Sequence, residues 1–200
     1  MADRNEEIKK LVEEMSENPD AVEKVVSSLD EAPRRERQIA AASLHLIAKS
    51  NPDALSGQVE KLIGALSRPE AQTRWECLET LTLLVPRDAR SCSKAIPEAE
   101  AALFDEESGP VRLAAVRFLC KLGSTTANRS EKVWPLIDEA IQCYHGDLEF
   151  NDMLNAIIDF STGKLSDGVK EQLKARMSFD AANGKGSLQR RAQQIIDNLN

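Results

Sequence analysis

Apolar residues recur along this chain at the spacing of an amphipathic helix. Several segments carry an apolar residue at positions i, i+3, i+4 and i+7, which places all four on one face of a helix. The clearest sets are Ile8, Leu11, Val12 and Met15, then Val22, Val25, Val26 and Leu29, and later Val59, Leu62, Ile63 and Leu66. The pattern predicts a series of helices, each with one buried face.

Helix starts are marked by residues that cap a helix or fix its first turn. Asn18-Pro19 and Asn51-Pro52 each place a capping side chain before a proline at the first helical position. Prolines also mark three further expected helix starts, at Pro33, Pro69 and Pro110. Eleven helices are predicted, at residues 4–17, 20–30, 33–50, 52–67, 69–85, 88–104, 109–123, 130–145, 148–162, 166–181 and 187–199.

Equivalent residues recur at intervals of 37 or 38 residues. Arginine stands at positions 37, 74 and 112, and proline stands at positions 97 and 135. Large apolar residues follow the same interval at Leu29, Leu66, Leu103 and Ile141. A fixed period of this length, with two amphipathic helices in each unit, is the signature of stacked helical repeats.

The period and the helices together predict an all-α fold. We expect a right-handed α-solenoid of about five helix pairs, and we name the first helix of a pair A and the second B. The two most flexible connections, 123–130 and 181–187, are too short to be domain linkers, so residues 1–200 are expected to form a single domain. An N-terminal capping helix at 4–17 precedes pairs at 20–50, 52–85, 88–123, 130–162 and 166–199.

One B helix carries a recognisable repeat motif. Residues 111–123 resemble the pattern V-R-x-x-A-x-x-x-L-x-x-L-G of HEAT repeats; their sequence is Val111-Arg112-Leu113-Ala114-Ala115-Val116-Arg117-Phe118-Leu119-Cys120-Lys121-Leu122-Gly123. Segments Ile96-Pro97 and Val133-Trp134-Pro135-Leu136 resemble the proline-bent A helix of that family. Residues 88–145 follow the pattern well, 20–85 follow its apolar spacing with Glu23 and Glu60 in place of proline, and 148–199 follow it weakly. The resemblance implies an armadillo-like α-solenoid and does not imply an activity.

Composition and charge narrow the range of functions. Apolar residues make up 42% of the 200 residues and aromatic residues only 4%, which suits helices packed on helices. The net charge is -7; the first 32 residues carry ten acidic and four basic side chains, and residues 164–200 carry four acidic and seven basic ones. Because an acidic chain repels phosphate on average, binding to nucleic acid or to a membrane surface is not expected.

The cysteines and histidines do not form a metal-binding pattern. The four cysteines include no C-x-x-C pair, and His45 and His145 are widely separated. Reduced, structural cysteines are therefore expected at Cys77, Cys92, Cys120 and Cys143. The N-terminus lacks the apolar core of a signal peptide, and no apolar run is long enough to span a membrane, which predicts a cytoplasmic protein.

No motif for a cofactor or for nucleophilic catalysis is present in the sequence. The run Gly184-Lys185-Gly186-Ser187 is similar in composition to a phosphate-binding loop. It lacks the preceding strand and the spacing of such a loop, so it is interpreted as a turn. We therefore expect neither a metal nor a cofactor.

The periodic arginines Arg37, Arg74 and Arg112 permit two interpretations. They could form a basic ladder that contacts phosphates, because equivalent positions of successive repeats stack on one another. In the second interpretation, these arginines pair with acids in neighbouring turns, and the resemblance to HEAT repeats favours it. The acids in those turns are Asp30, Glu31, Asp105 and Glu106.

Trp75, Glu79 and Arg112 suggest an enzymatic alternative. HEAT-like DNA alkyl-base glycosylases use a carboxylate, an arginine and tryptophans in their groove, and these three residues resemble that set. A carboxylate near an indole could stabilise a cationic base. The acidic chain, with a pI of about 5.1, and the lack of a basic groove count against this alternative.

The outward faces of the B helices provide the candidate binding site. If Leu78, Leu81 and Leu84 point inward, helical geometry turns Leu83 outward, and the periodicity leads us to place Leu46 and Phe118 on the same strip. The expected protein-binding residues are Leu46, Glu79, Leu83, Arg117, Phe118 and Lys121. An exposed apolar strip among charged residues is typical of a peptide-binding surface. The alternative is that loops or a neighbouring helix cover the strip.

The sequence therefore favours a non-enzymatic adaptor or scaffold that binds a protein segment on the concave B-helix surface. A glycosylase-type enzyme and a structural subunit of a larger assembly are the alternatives. Because the chain ends shortly after Leu199 in an amphipathic segment, self-association through the C-terminal helix is also expected.

Overall fold

The computed structural model describes residues 2–200, and its regular secondary structure there is entirely helical. Most helices begin and end within three residues of the predicted bounds. The α-helices are α1 (Ala2–Glu17), α2 (Pro19–Glu31), α3 (Arg34–Ser50), α4 (Val59–Gly64), α5 (Ala71–Cys92), α6 (Ile96–Leu103), α7 (Gly109–Gly123), α8 (Ala127–Cys143), α9 (Phe150–Ser161), α10 (Asp167–Asn183) and α11 (Gly186–Asn198). Short 3₁₀ helices span Pro52–Leu55, Ala65–Ser67 and Ser93–Ala95.

The observed helices differ from the predicted ones at two places in the chain. The segment predicted as one helix at 52–67 is a 3₁₀ turn, then α4, then a second 3₁₀ turn. Gly57 interrupts it with a φ of 81°, a backbone conformation that glycine adopts without steric cost.

The second difference lies between the helices predicted at 69–85 and 88–104. The chain runs as one helix through Cys92 with a kink at Asp88, where φ is -143° and ψ is 69°. Pro86 precedes the kink, and the Asp88 carboxylate accepts a hydrogen bond from the Ser91 backbone N–H at 2.9 Å. Proline removes a helical hydrogen bond, and the aspartate caps the helix that restarts after it.

The described chain divides into two compact units, Met1–Ala115 and Val116–Asn200, and the boundary lies inside α7. In unit 1, α3 packs against α1, α2 and α5, and α2 also packs against α4. In unit 2, α10 packs against α8 and α11, and α11 also packs against α9. Within each unit, A helices therefore stack on A helices and B helices on B helices.

The periodic arginines of unit 1 are structural. Arg37 donates to the carbonyl oxygen of Ala32 at 2.8 Å and forms an ion pair with Glu70. Arg74 forms an ion pair with Asp105, with 2.5 Å between Nη1 and Oδ2. Arg112 donates to the carbonyl oxygen of Asp105 at 2.8 Å. The ion-pair interpretation is confirmed for Arg37 and Arg74, although Glu70 was not among the acids expected from the sequence, whereas Arg112 is held by a backbone carbonyl.

Two carboxylates in this network are strongly biased toward their charged form. Burial by itself raises the pKa of Glu70, whose side chain is only 3% exposed, but the hydrogen bond and charge of Arg37 outweigh burial, so the pKa lies below its usual range. Burial also opposes ionisation of Asp105, and the hydrogen bond from Arg74 again lowers the pKa overall. Both carboxylates therefore stabilise the folded state in their ionised form.

Replacing Glu70 by glutamine should flatten the acid limb of the stability curve. A carboxylate with a lowered folded pKa contributes stability that is complete above its unfolded pKa, about 4.3, and is lost as the pH falls through the folded pKa. Urea unfolding from pH 7 to pH 3 should therefore show a smaller acid-induced loss for Glu70→Gln than for the parent protein. The exposed Glu100→Gln is the control, and parallel curves for the parent protein and Glu70→Gln would contradict the assignment.

Candidate binding surface

The B helices α3 and α5 pack against each other in unit 1. Leu46 on α3 is 43% exposed, and Leu83, 37 residues later on α5, is half-buried. Trp75 and Glu79, one turn apart on α5, are half-buried as well. These residues are called the unit 1 B face. The structure thus places Leu46, Glu79 and Leu83, three of the predicted binding residues, on two adjacent helices.

A histidine–glutamate pair joins the two helices of the unit 1 B face. His45 Nδ1 lies 2.5 Å from Glu76 Oε2, and the two side chains are 14% and 15% exposed. Sequence reasoning missed this pair. The signal in the sequence was the spacing. Glu76 follows His45 by 31 residues, and the same spacing separates Arg74 from Asp105, its ion-pair partner.

Phe118 is not part of any exposed strip, so the prediction for this residue is wrong. Its side chain is fully buried in unit 2. The repeat intervals explain the error: Phe118 is 38 residues after Thr80, which is 37 after Ser43, and both of these are also fully buried. The position equivalent to Leu83 is Lys121, which is exposed.

The other two predicted residues of unit 2 lie at or near the surface. Lys121 is exposed, and Arg117 is half-buried and takes part in a polar interaction. The six predicted residues are therefore divided between the two units, with Arg117, Phe118 and Lys121 in unit 2. The lysine places a charge where α3 and α5 carry leucine.

Phe118→Ala should destabilise the protein by about 3–5 kcal/mol, because it removes a fully buried ring and leaves a cavity. Leu83→Ala, at a half-buried position, should cost about 1 kcal/mol or less. Urea denaturation of the two variants measures both values. Equal losses of stability would show that Leu83 belongs to the core rather than to the unit 1 B face.

One of the three residues of the enzymatic alternative, Arg112, has a structural contact. Arg112 holds the turn before α7 through the carbonyl oxygen of Asp105, as Arg37 holds the carbonyl oxygen of Ala32. Trp75 and Glu79 are both half-buried on the unit 1 B face. Arg112 therefore braces the turn before α7 in the same way that Arg37, two repeats earlier, braces the turn before α3.

The four cysteines are free thiols, three of them buried and Cys143 exposed. Burial raises the pKa of the Cys77 and Cys120 thiols, which keeps both protonated near neutral pH. No group of three or more His, Cys, Asp or Glu side chains within residues 2–200 could hold a metal ion.

Thiol titration should distinguish these environments. For native protein prepared without reductant, we expect one thiol, that of Cys143, to react rapidly with an aromatic disulfide reagent, because the other three are buried. Four thiols should react after unfolding in urea. Fewer than four under denaturing conditions would indicate a disulfide and contradict the assignment of free cysteines.

The outer surface of the last helix, α11, is polar. Its exposed residues include Gln189, Arg190, Gln193, Gln194 and Asp197. Self-association at this end stays a prediction, and these residues offer no apolar patch to support it. None of the helices in the described part of the chain is long and apolar enough to cross a membrane.

Comparison with known proteins supports the fold. No protein-family model and no curated protein matches the sequence. A designed armadillo repeat protein in complex with the peptide (KR)4 aligns over 96% of this chain and 91% of that chain, with a TM-score of 0.76 and 16% identity. Computationally designed armadillo repeat proteins for modular peptide recognition align over 96% and 92%, with a TM-score of 0.73 and 15% identity. This chain has an armadillo/HEAT-like solenoid fold.

A further engineered protein supports the same conclusion, with a TM-score of 0.74 and 14% identity over 96% of this chain and 88% of that chain. The predicted all-α solenoid class is therefore confirmed, as is the likeness to HEAT and armadillo repeats. At these identities the likeness concerns the fold alone. The single-domain organisation stays a prediction.

Proposed function

We propose that this armadillo/HEAT-like protein is a non-enzymatic scaffold that binds an extended segment of a partner protein on the unit 1 B face. The observation that carries the proposal is the exposure of Leu46 beside the half-buried Leu83 and Trp75 on adjacent B helices. An apolar centre with a polar rim is the usual anatomy of a protein-binding surface. We further propose that the protein acts in the cytoplasm.

The charges on this face favour a ligand that carries basic and apolar side chains. Glu76 and Glu79 place carboxylates next to Leu83, and Glu76 is already paired with His45. Among the structural neighbours, one designed armadillo repeat protein is in complex with (KR)4, a peptide of lysine and arginine. A second set was designed for modular peptide recognition. These neighbours support peptide binding as the function of the fold.

Leu46 is the expected anchor of the interface. It is the more exposed of the two leucines, so a partner would remove the larger apolar area from water at this residue. Interfaces commonly depend on a few such anchors surrounded by contacts of small energy. The polar rim would then select the sequence of the segment.

Leu46→Glu should abolish most of the binding without unfolding the protein, because the side chain is exposed in the free state. A ligand can be obtained by selecting decapeptides from a random phage-displayed library on the whole protein. Fluorescence anisotropy with the best labelled peptide should then show at least about tenfold weaker binding for Leu46→Glu, since a charge would be buried at the interface.

Phe104→Glu is the matched control, because Phe104 is a second exposed large apolar residue of unit 1 that lies at the end of α6, outside the unit 1 B face. Its binding should stay within about threefold of the parent protein. Equal weakening by the two variants, or a failure to enrich any peptide, would contradict the proposal.

A further inference from the structure

We infer that unit 2 contains a separate subsite for a carboxylate side chain, formed by Arg191 of α11 and two asparagines of α9. Arg191 Nε donates to Asn155 Oδ1 at 2.9 Å, and Arg191 Nη1 donates to Asn151 Oδ1 at 2.8 Å. Ser187 Oγ also donates to Asn151 Oδ1, at 3.1 Å. We call these four residues the Arg191 cluster. This inference rests on the proposed function in one respect: the ligand is a segment of a partner protein.

The cluster orients its unused groups as hydrogen-bond donors. A guanidinium donates and never accepts, so each asparagine must turn its oxygen toward Arg191. The two amide –NH₂ groups therefore point away from Arg191, and both asparagines are exposed. Asn151 and Asn155 are four residues apart on one helix, which places their side chains about 5–6 Å apart. A ligand that meets this surface must supply acceptors.

The charge of Arg191 is not balanced by its partners. Four other half-buried arginines are paired with carboxylates: Arg37 with Glu70, Arg74 with Asp105, Arg68 with Asp30 and Arg176 with Asp138. Arg191 is also half-buried, but it is held by two neutral amides. A fixed, partly desolvated cation beside oriented amide donors is the arrangement that charge-assisted hydrogen bonds to an anion require.

Neighbouring charges place the anion at the Asn151 end of the cluster. Lys185 is exposed immediately before α11 and adds positive charge there. Asp152 follows Asn151 but lies about 100° around the helix. Asp159 lies one turn beyond Asn155 on the same helix and makes that end less favourable to an anion. The ligand is therefore an aspartate or glutamate side chain of a partner segment that lies beside Asn151 and Ser187.

The probe for the test is a fluorescein-labelled peptide, Gly-Glu-Gly-Glu-Gly-Glu-Gly, with the corresponding glutamine peptide as its uncharged match. The parent protein should bind the glutamate peptide at least about tenfold more tightly than the glutamine peptide. Arg191→Gln should lose that preference. Arg190→Gln removes the same charge from the adjacent exposed residue and should weaken binding by less than about threefold.

A second variant keeps the test independent of folding. Asn151→Asp would place a carboxylate of the chain itself beside Arg191, so it should abolish glutamate-peptide binding while the thermal midpoint is maintained. In the parent protein, the side-chain amide NMR signals of Asn151 and Asn155 should shift when the glutamate peptide is added.

Three outcomes would overturn the inference. Equal effects of Arg190→Gln and Arg191→Gln would show that only net charge matters. Unchanged binding in Asn151→Asp would exclude the cluster as the site. A peptide with phosphoserine in place of glutamate that binds more than about tenfold tighter would show that phosphate, not carboxylate, is the ligand. Failure of this subsite leaves the effect of Leu46→Glu on the selected peptide unchanged, so the two proposals can fail separately.

Discussion

No helix pair of this chain can bury its apolar residues by itself, and the rest of the structure depends on that constraint. In α3 the buried residues Ile39, Ala41, Leu44 and Ile47 lie on more than one side of the helix, and α1, α2 and α5 cover them. Each repeat therefore needs its neighbours for stability. On the B helices of unit 1, Leu46 of α3 is left exposed and Leu83 of α5 half-buried.

Polar contacts between successive repeats then fix how the helices stack. The Arg37–Glu70 and Arg74–Asp105 pairs join positions 33 and 31 residues apart. Burying one charge without its partner is costly, so a shift of one repeat against the next would break these pairs at high energy. The same rule makes Arg191 informative, because its neutral partners leave a charge that a ligand can balance.

The sequence predicted the helices and their pairing well because apolar spacing and proline placement are local signals. It failed at Phe118 for a simple reason: repeat intervals vary between 37 and 38 residues, and the comparison with Leu83 used an interval of 35. The three residues of difference turn the position by about 60° around the helix, from the half-buried edge where Leu83 lies to the buried face that Thr80 and Phe118 occupy. The His45–Glu76 pair had a signal in its spacing of 31 residues, whereas the Arg191 cluster could not be predicted because it depends on contacts between helices that no local pattern encodes.

One repeat position shows how this chain differs from a solenoid built of identical units. Ser43, Thr80 and Phe118 occupy equivalent places, and all three are fully buried, although their side chains differ greatly in volume. Each surrounding core must therefore be shaped for its own occupant. A duplicated or exchanged repeat would bring either a void or a clash to its new neighbours. Changes in length by copying one repeat, common in evolution for solenoids of uniform sequence, would here require compensating changes in the adjacent repeats.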